Sequence, residues 1–361
     1  MAKKTQIILL SLVIIIFALV ASGIFDWYVY PALDTSNFPL KQIWLSHLDA
    51  PILELSVDDT GLFIFARTAH ALYAIDAATG QEIWRFPINN QVVTSPSISH
   101  NGIVYIADKK NLWALNQKNG NIIWSQSLLE PRGKVEAVTD FLIFINNRNT
   151  DIGSYDAKTG SLIWTFPLYW YHPKYYIREN KIYIPYAGSG LYIIDTSTDK
   201  QYILNKADSI FDSSLHGNHI YYITLHNIVA FNTKNETETW RRELVFSKND
   251  YPRLGMYEQI IFVEGTESLT ALDSKTGDLD WTTSISYPTN PSVIGDTVFV
   301  MEGYSRIIRA LQIATGKQIG QLRTSSYHFV IADGQRDMIA ADNRLIFSRG
   351  KEILCFTPIN K

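Results

Sequence analysis

The sequence predicts an all-β fold, an eight-bladed β-propeller of four-stranded antiparallel blades, with one transmembrane helix ahead of it. Three observations carry that reading. The stretch Leu72-Tyr73-Ala74-Ile75-Asp76-Ala77-Ala78-Thr79-Gly80-Gln81-Glu82-Ile83-Trp84 returns in altered form about every forty residues to the end of the chain. The last copy runs out before its final strand. That strand's counterpart, Leu40-Lys41-Gln42-Ile43-Trp44, stands at the front, so the two ends are expected to meet and close the ring.

Each part of the repeat has a physical reason. Leu-Tyr-Ala-Ile is an apolar run with strand propensity, as a strand covered on both faces requires. Asp76 opens a turn because its carboxylate accepts hydrogen bonds from nearby backbone N–H groups, and Gly80 closes it where positive φ is needed. The turn-opening position is held by Asp76, Asn116, Asp156, Asp195, Asn232, Asp273, Gln312 and Thr357, at intervals of 40, 40, 39, 37, 41, 39 and 45. Two residues earlier stand Ala74, Ala114, Ser154, Ile193, Ala230, Ala271, Ala310 and Cys355. Eight residues after the opener stand Trp84, Trp124, Trp164, Ile203, Trp240, Trp281 and Gly320. With Trp44, six Trp thus form a docking set: Trp44, Trp84, Trp124, Trp164, Trp240 and Trp281. The fourth copy replaces the small residue and the Trp together, both by Ile, which suggests a flat ring stacked against a shallow backbone. The fourth and seventh blades, irregular at this position, are expected to be the least stable sectors.

In chain order, Lys3 and Lys4 precede an uncharged run over residues 7–25, nineteen residues of which fourteen are Ile, Leu, Val or Phe. Those side chains favour membrane insertion by roughly 4–8 kcal/mol, and about twenty residues suffice to span the hydrocarbon core. Asp26, Trp27, Tyr28 and Tyr30 follow as an interfacial collar. Residues 1–25 therefore read as a membrane anchor with the lysines on the cytoplasmic side. The alternative is a cleaved signal peptide, for which Ala21-Ser22-Gly23 is small enough to be the cleavage site. Both readings place the body outside the cytoplasm. Residues 26–39, with Pro31 and Pro39, read as a linker, and residues 40–361 as the propeller.

A formal charge of −3 gives no support to nucleic-acid binding. The repeat L-Y-A-I-D-A-A-T-G-Q-E-I-W resembles that of the pyrroloquinoline-quinone-type, tryptophan-docking propellers, over about 320 of the 361 residues. The resemblance implies the fold and leaves the chemistry open, since dehydrogenases, scaffold proteins and sensor ectodomains share the repeat. Quinoprotein dehydrogenases of this type commonly carry an adjacent cysteine pair beside the quinone and a calcium ion. This chain has one cysteine, and no acidic cluster resembles a calcium loop, so neither quinone nor calcium is expected as a cofactor. The length and blade count are similar to the BamB-like, non-catalytic branch. Those proteins attach through a cysteine directly after the signal, whereas no Cys lies in residues 18–30.

The candidate sites are few. Cys355 falls on the small-residue position and reads as packing. His216 and His219 form H-x-x-H around Gly217-Asn218, a hairpin turn without a third ligand nearby in sequence. Asp208 and Asp212 have no helical pattern to align them as a catalytic pair, and Asn235-Glu236-Thr237 matches a glycosylation sequon but sits in a blade turn. The aromatic stretch Tyr169, Trp170, Tyr171, His172, Tyr175 and Tyr176 follows the third blade and is the candidate partner-binding surface, because clustered Tyr and Trp are enriched at interfaces. Filling space left by Ile203 is the competing role for that loop. Tyr251, Tyr287, Tyr304 and Tyr327 are expected on the same face. The resulting expectation is a membrane-tethered, extracytoplasmic, non-catalytic binding or scaffold module with a membrane or cell-envelope protein partner. A quinone-dependent dehydrogenase and a small-ligand sensor are the alternatives.

Overall fold

The computed structural model describes residues 33, 35–88, 98–108, 110–128, 133–138, 141–146, 151–167, 174, 176–186, 190–195, 198, 200–204, 210–244, 252–303, 307–324 and 338–359. The chain enters on β1 (Leu40–His47) and then makes seven blades, each of four consecutive antiparallel strands. The first blade is β2 (Ile52–Val57), β3 (Phe63–Thr68), β4 (Ala71–Asp76) and β5 (Glu82–Pro87). The second is β6 (Ile98–His100), β7 (Ile103–Ala107), β8 (Asn111–Asn116) and β9 (Ile122–Ser127). The third is β10 (Gly133–Val138), β11 (Phe141–Asn146), β12 (Asp151–Asp156) and β13 (Leu162–Pro167). The fourth is β14 (Tyr176–Arg178), β15 (Lys181–Tyr186), β16 (Gly190–Asp195) and β17 (Lys200–Leu204). The fifth is β18 (Asp212–His216), β19 (His219–Ile223), β20 (Asn227–Asn232) and β21 (Thr237–Glu243). The sixth is β22 (Arg253–Tyr257), β23 (Ile260–Glu264), β24 (Ser268–Asp273) and β25 (Leu279–Ser284). The seventh is β26 (Pro288–Ile294), β27 (Thr297–Glu302), β28 (Ile307–Gln312) and β29 (Gln318–Arg323). The strands β30 (Met338–Ala341), β31 (Arg344–Arg349) and β32 (Glu352–Pro358) end the chain and take β1 as their fourth strand, in the order β1-β32-β31-β30.

The fold-class expectation of an eight-bladed ring with a transmembrane helix is corrected on two points. Counted as blades of consecutive strands there are seven; the remaining four-stranded sheet is a composite closure built from both ends of the chain. The physical reason is that β32 would otherwise present an unpaired edge, which β1 covers by pairing Leu40 with Pro358 through His47 with Glu352. Secondly, among the described residues no helix is long and apolar enough to cross a membrane. The anchor read over residues 7–25 lies outside the described residues, and so does most of the linker.

The core sits between blades, because each sheet is apolar on both faces. Ile64, Ala66, Tyr73 and Ile75 of the first blade pack against Ile346, Ile353 and Cys355 of the closing sheet. Phe65, Leu72 and Ala74 pack the other way, against Val104, Ile106 and Leu115 of the second blade. The alternation of strand side chains thus assigns odd and even positions to different neighbours. Inner strands touch around the ring at β6 and β10, β18 and β22, β22 and β26, β26 and β30, and β30 and β2. Two-residue hairpins between the first and second strands use positive φ, as at Asn101 and Gly102 in the second blade.

Candidate functional site

The repeated feature of the ring is a junction in which the outer strand of one blade meets the third-to-fourth-strand turn of the next. The turn is built first. Asp76 Oδ1 accepts hydrogen bonds from the N–H groups of Ala78 (3.0 Å) and Thr79 (2.7 Å) and from Thr79 Oγ1 (2.8 Å), while Gly80 N donates to Asp76 O (2.8 Å). Those bonds hold the Asp76 carboxyl below its ordinary range, the Thr79 hydroxyl contributing most. The same arrangement recurs at Asp156, where the Thr159 N–H is the leading cause of the depression.

The turn leaves one backbone carbonyl pointing back at the preceding blade, and an indole N–H donates to it. Trp44 donates to Ala77 O (3.1 Å), Trp84 to Gln117 O (2.7 Å) and Trp124 to Ala157 O (3.0 Å); Trp240 donates to Ser274 O (3.0 Å) and Trp281 to Ile313 O (2.7 Å). Each ring lies against the turn glycine of the next blade. A Cβ added at Gly120 would come within 2.7 Å of the Trp84 ring, and Gly120 has φ +70°, so its lack of a side chain serves both approach and backbone. The ring's own blade closes the slot: Phe65–Trp84, Tyr105–Trp124, Tyr221–Trp240 and Phe262–Trp281 have centroids 6.0, 6.1, 6.0 and 6.1 Å apart. Across the sheet the Trp faces the small residue, Ala74 with Trp84, Ser154 with Trp164 and Cys355 with Trp44. A bulge beside each such pair turns the extra residue outward, leaving Ile43, Ile83, Ile123 and Ile163 exposed on the rim. The turn that would receive Trp164 falls partly outside the described residues.

Two junctions depart from this plan. In the fourth blade Asp195 pairs directly with Lys200 and there is no bulge, so the register runs one residue ahead. Tyr202, not Ile203, therefore faces Ile193. The facing turn of the fifth blade carries Glu236, at φ +56°, where the turns of five other blades carry Gly80, Gly120, Gly160, Gly277 and Gly316. Tyr202 Oη donates to both carboxylate oxygens of Glu236 (2.9 and 3.0 Å), and Lys181 Nζ pairs with the same carboxylate. The Glu236 carboxylate raises the Lys181 ammonium above its ordinary range; burial and then Glu236 raise the Tyr202 hydroxyl. At the seventh blade Gly320 leaves the docking space open, and the N-terminal segment fills it: Gln321 N donates to Asn37 O (3.1 Å). Phe38 is buried edge-on to Phe299 (5.6 Å) and Phe356 (5.9 Å). Phe38 belongs to the stretch read from sequence as linker, but it is part of the core.

The other sequence candidates resolve as follows. Tyr169, Trp170, Tyr171, His172 and Tyr175 lie outside the described residues. Tyr176 is on the inner strand β14, half-buried, with its hydroxyl 3.0 Å from Ser213 Oγ of the fifth blade. Asp212 is held by Lys174 (2.6 Å) and accepts from Leu254 N (2.8 Å), bridging the fifth and sixth blades; Asp208 lies outside the described residues. His216 pairs with His219 across the Gly217-Asn218 hairpin, and His219 Nε2 lies 3.2 Å from Thr239 Oγ1 and 3.3 Å from Asn232 Nδ2, its pKa lowered by burial. Among the described residues no group of three His, Cys, Asp or Glu side chains is placed to hold a metal ion. Cys355 is buried opposite Trp44, and burial pushes its thiol up to about 12. Asn235 accepts from Thr237 Oγ1 (2.9 Å) within its turn.

On the face bearing the connections between blades, Tyr287 is exposed and has φ +48°, an uncommon conformation for a bulky side chain. Its backbone ties two turns of that face together, Tyr287 N donating to Thr266 O (2.7 Å) and Gly303 N to Tyr287 O (3.0 Å).

With these repeats in view, comparison with known proteins settles the family. The family described as outer membrane protein assembly factor BamB matches residues 41–222 and 148–360. The chain belongs to that family of PQQ-type repeat propellers. BamB of Yersinia pestis is 23% identical over 343 residues, 88% of this chain and 77% of that protein. A tetrathionate hydrolase of Acidithiobacillus ferrooxidans is 24% identical over 152 residues, 37% of this chain and 30% of that enzyme. Among solved structures, BamB from Moraxella catarrhalis superposes with a TM-score of 0.66 at 16% identity, over 89% of this chain and 98% of that one. The WD40 domain of SCAP from fission yeast gives 0.67 at 11% identity, over 90% and 98%, a likeness of fold alone.

Proposed function

We propose that this member of the BamB family is a protein-binding scaffold without catalytic activity of its own, tethered to a membrane and facing away from the cytoplasm. The observation that carries the reading is the family match, which runs through the repeats from residue 41 to residue 360. The relatives named for outer membrane protein assembly support a partner in the cell envelope. The apolar run over residues 7–25 supports the tether. The binding face we assign is the one bearing the connections between blades, which carries Tyr287; the aromatic stretch at residues 169–172 is assigned to binding from its residue types. An exposed aromatic held in a strained backbone conformation is the kind of anchor that binding sites use.

The test is gentle detergent extraction from the native membrane, with cross-linking and identification of co-purifying protein, on the intact chain and on Tyr287→Ala and Trp170→Ala variants. A stoichiometric envelope partner that both variants lose at unchanged melting temperature is the expected result. A partner-free monomer overturns the scaffold reading. A large fall in melting temperature for Trp170→Ala assigns that residue to packing instead. A second reading, an enzyme, rests on the partial match to tetrathionate hydrolase and on the quinone-type repeat. Turnover of tetrathionate, or dye reduction with added quinone, calcium and an alcohol, would replace the scaffold reading, and stabilisation by a small ligand would make it a sensor.

A further inference from the structure

We propose that the junction between the fourth and fifth blades is the seam that opens first among the described junctions of the ring, held shut by the Lys181–Glu236–Tyr202 latch. Five described junctions close with a neutral indole N–H on a carbonyl and a ring lying flat on glycine. Here the ring at the docking register is Tyr202, and what it meets is a carboxylate shared with Lys181. The two kinds of closure respond differently to solvent. Dissolved ions do not weaken an indole–carbonyl bond backed by an apolar slot. The latch is reachable by ions, since the Lys181 and Glu236 side chains keep 31% and 23% of their exposure. Dissolved ions at about 1 M compete for these partly exposed charges and weaken the pair.

The seam also carries a backbone cost that the five described Trp junctions avoid. Glu236 sits at φ +56° with a Cβ, whereas Gly80, Gly120, Gly160, Gly277 and Gly316 take that position free of charge and strain. Absence of a Trp alone does not make a seam. The junction of the seventh blade with the closing sheet also lacks one, but Phe38 and Asn37 plug it with apolar area and a backbone hydrogen bond. Beyond the latch, the fourth and fifth blades share a core of Tyr183, Leu191 and Ile193 against Ile220, Tyr222 and Val229, and are joined by Tyr183 Oη on Thr233 O (3.0 Å), by Arg178 on Gly217 O (2.9 Å from Nη2), by Tyr176 Oη with Ser213 Oγ (3.0 Å) and by Lys174 with Asp212 (2.6 Å).

Amide hydrogen exchange on the full chain, compared between low salt and about 1 M salt, tests this. The segments to compare are 200–204 and 233–237 at the seam against 77–84 and 117–124 at Trp junctions. High salt is expected to speed exchange at the seam about tenfold and to leave the Trp junctions unchanged. Glu236→Gln, which keeps size and backbone but removes the charge, is expected to show the fast exchange already at low salt and to lose the salt response. Lys181→Met gives an independent removal of the pair with the same expected pattern. Uniform exchange around the ring, earlier opening at a Trp junction, or a salt response that survives Glu236→Gln would each overturn the proposal.

Discussion

The junction of the first and second blades and that of the fourth and fifth do the same job with different chemistry. At the first, Trp84 is buried, its N–H donates to Gln117 O at 2.7 Å, and its ring lies over Gly120. At the other, Tyr202 is half-buried and its hydroxyl is spent on Glu236, a residue standing where the glycine should be. The difference shows that ring and turn are exchanged as a set. At the five described Trp junctions the turn carries no Cβ, and here, where it does, a shorter ring with a polar tip takes the place of the Trp. The bulge is present beside Ala74 and Trp84 and missing from the fourth blade, although the seventh blade keeps it opposite Gly320 without a Trp.

Truncation should break this comparison with the largest effect. Trp84→Ala removes a buried ring, its hydrogen bond and its packing on Phe65, and is expected to cost about 3–5 kcal/mol. Phe38→Ala, which unplugs the seventh-blade junction, belongs in the same range of about 3–5 kcal/mol. Tyr202→Ala should cost about 2 kcal/mol, the order of hydrogen bonds to a charged group, because less apolar area is lost. Urea unfolding checks the order through the shift in midpoint at unchanged slope. Equal losses at Trp84 and Tyr202 would dissolve the distinction between the two junction types.

The Trp junctions were legible in the sequence because their parts are rigidly spaced: opener, glycine, small residue and Trp recur at fixed offsets. The closure by β1 was legible for the same reason. The fourth blade was misread because counting from Asp195 assumed a bulge. Without one the facing residue is Tyr202, and Ile203 points elsewhere. Glu236 at the glycine offset after Asn232 was the signal available for the latch. Phe38 was missed because no periodicity marks a single plug, and it lies before the first repeat. The strain at Tyr287 leaves no trace in composition at all, since its cause is the pairing of its backbone with Thr266 and Gly303.

Exchanging the turn residues sharpens the comparison with a smaller effect of opposite kind at the two sites. Gly120→Ala places a Cβ 2.7 Å from Trp84 at φ +70° and is expected to cost about 2 kcal/mol or more. Glu236→Gly relieves about 1–2 kcal/mol of left-handed strain while it deletes the latch, so the net change in stability should stay within about 1 kcal/mol. Thermal unfolding of the two variants reads the contrast directly. A Glu236→Gly variant as damaged as Gly120→Ala would mean that the latch carries as much of the ring as a docked Trp does.

The smallest effect concerns the turns themselves, and it has a sign. Asp76 has a folded-state pKa below its ordinary 3.8, chiefly through Thr79, and Asp156 is lowered in the same way through Thr159. Asp58 is lowered too: burial pushes it up, but bonds from Thr60, Phe63 N and Gln117 outweigh that. A depressed carboxyl contributes its stability fully above 3.8 and loses it as pH falls through that value toward the folded pKa. The turn at residues 116–120 is opened by Asn116, whose amide accepts from Lys118 N at 2.9 Å and does not titrate in this range. Acidification from neutral pH through the carboxylate range should therefore loosen the turns at 76–80 and 156–160 while leaving 116–120 closed, read as amide exchange corrected for its intrinsic pH dependence. Asp76→Asn should make the first turn behave like the second. If all three turns loosen together, the acid sensitivity lies in a shared group such as Asp58, whose bond to Gln117 spans the first and second blades, and Asp58→Asn should then flatten the response.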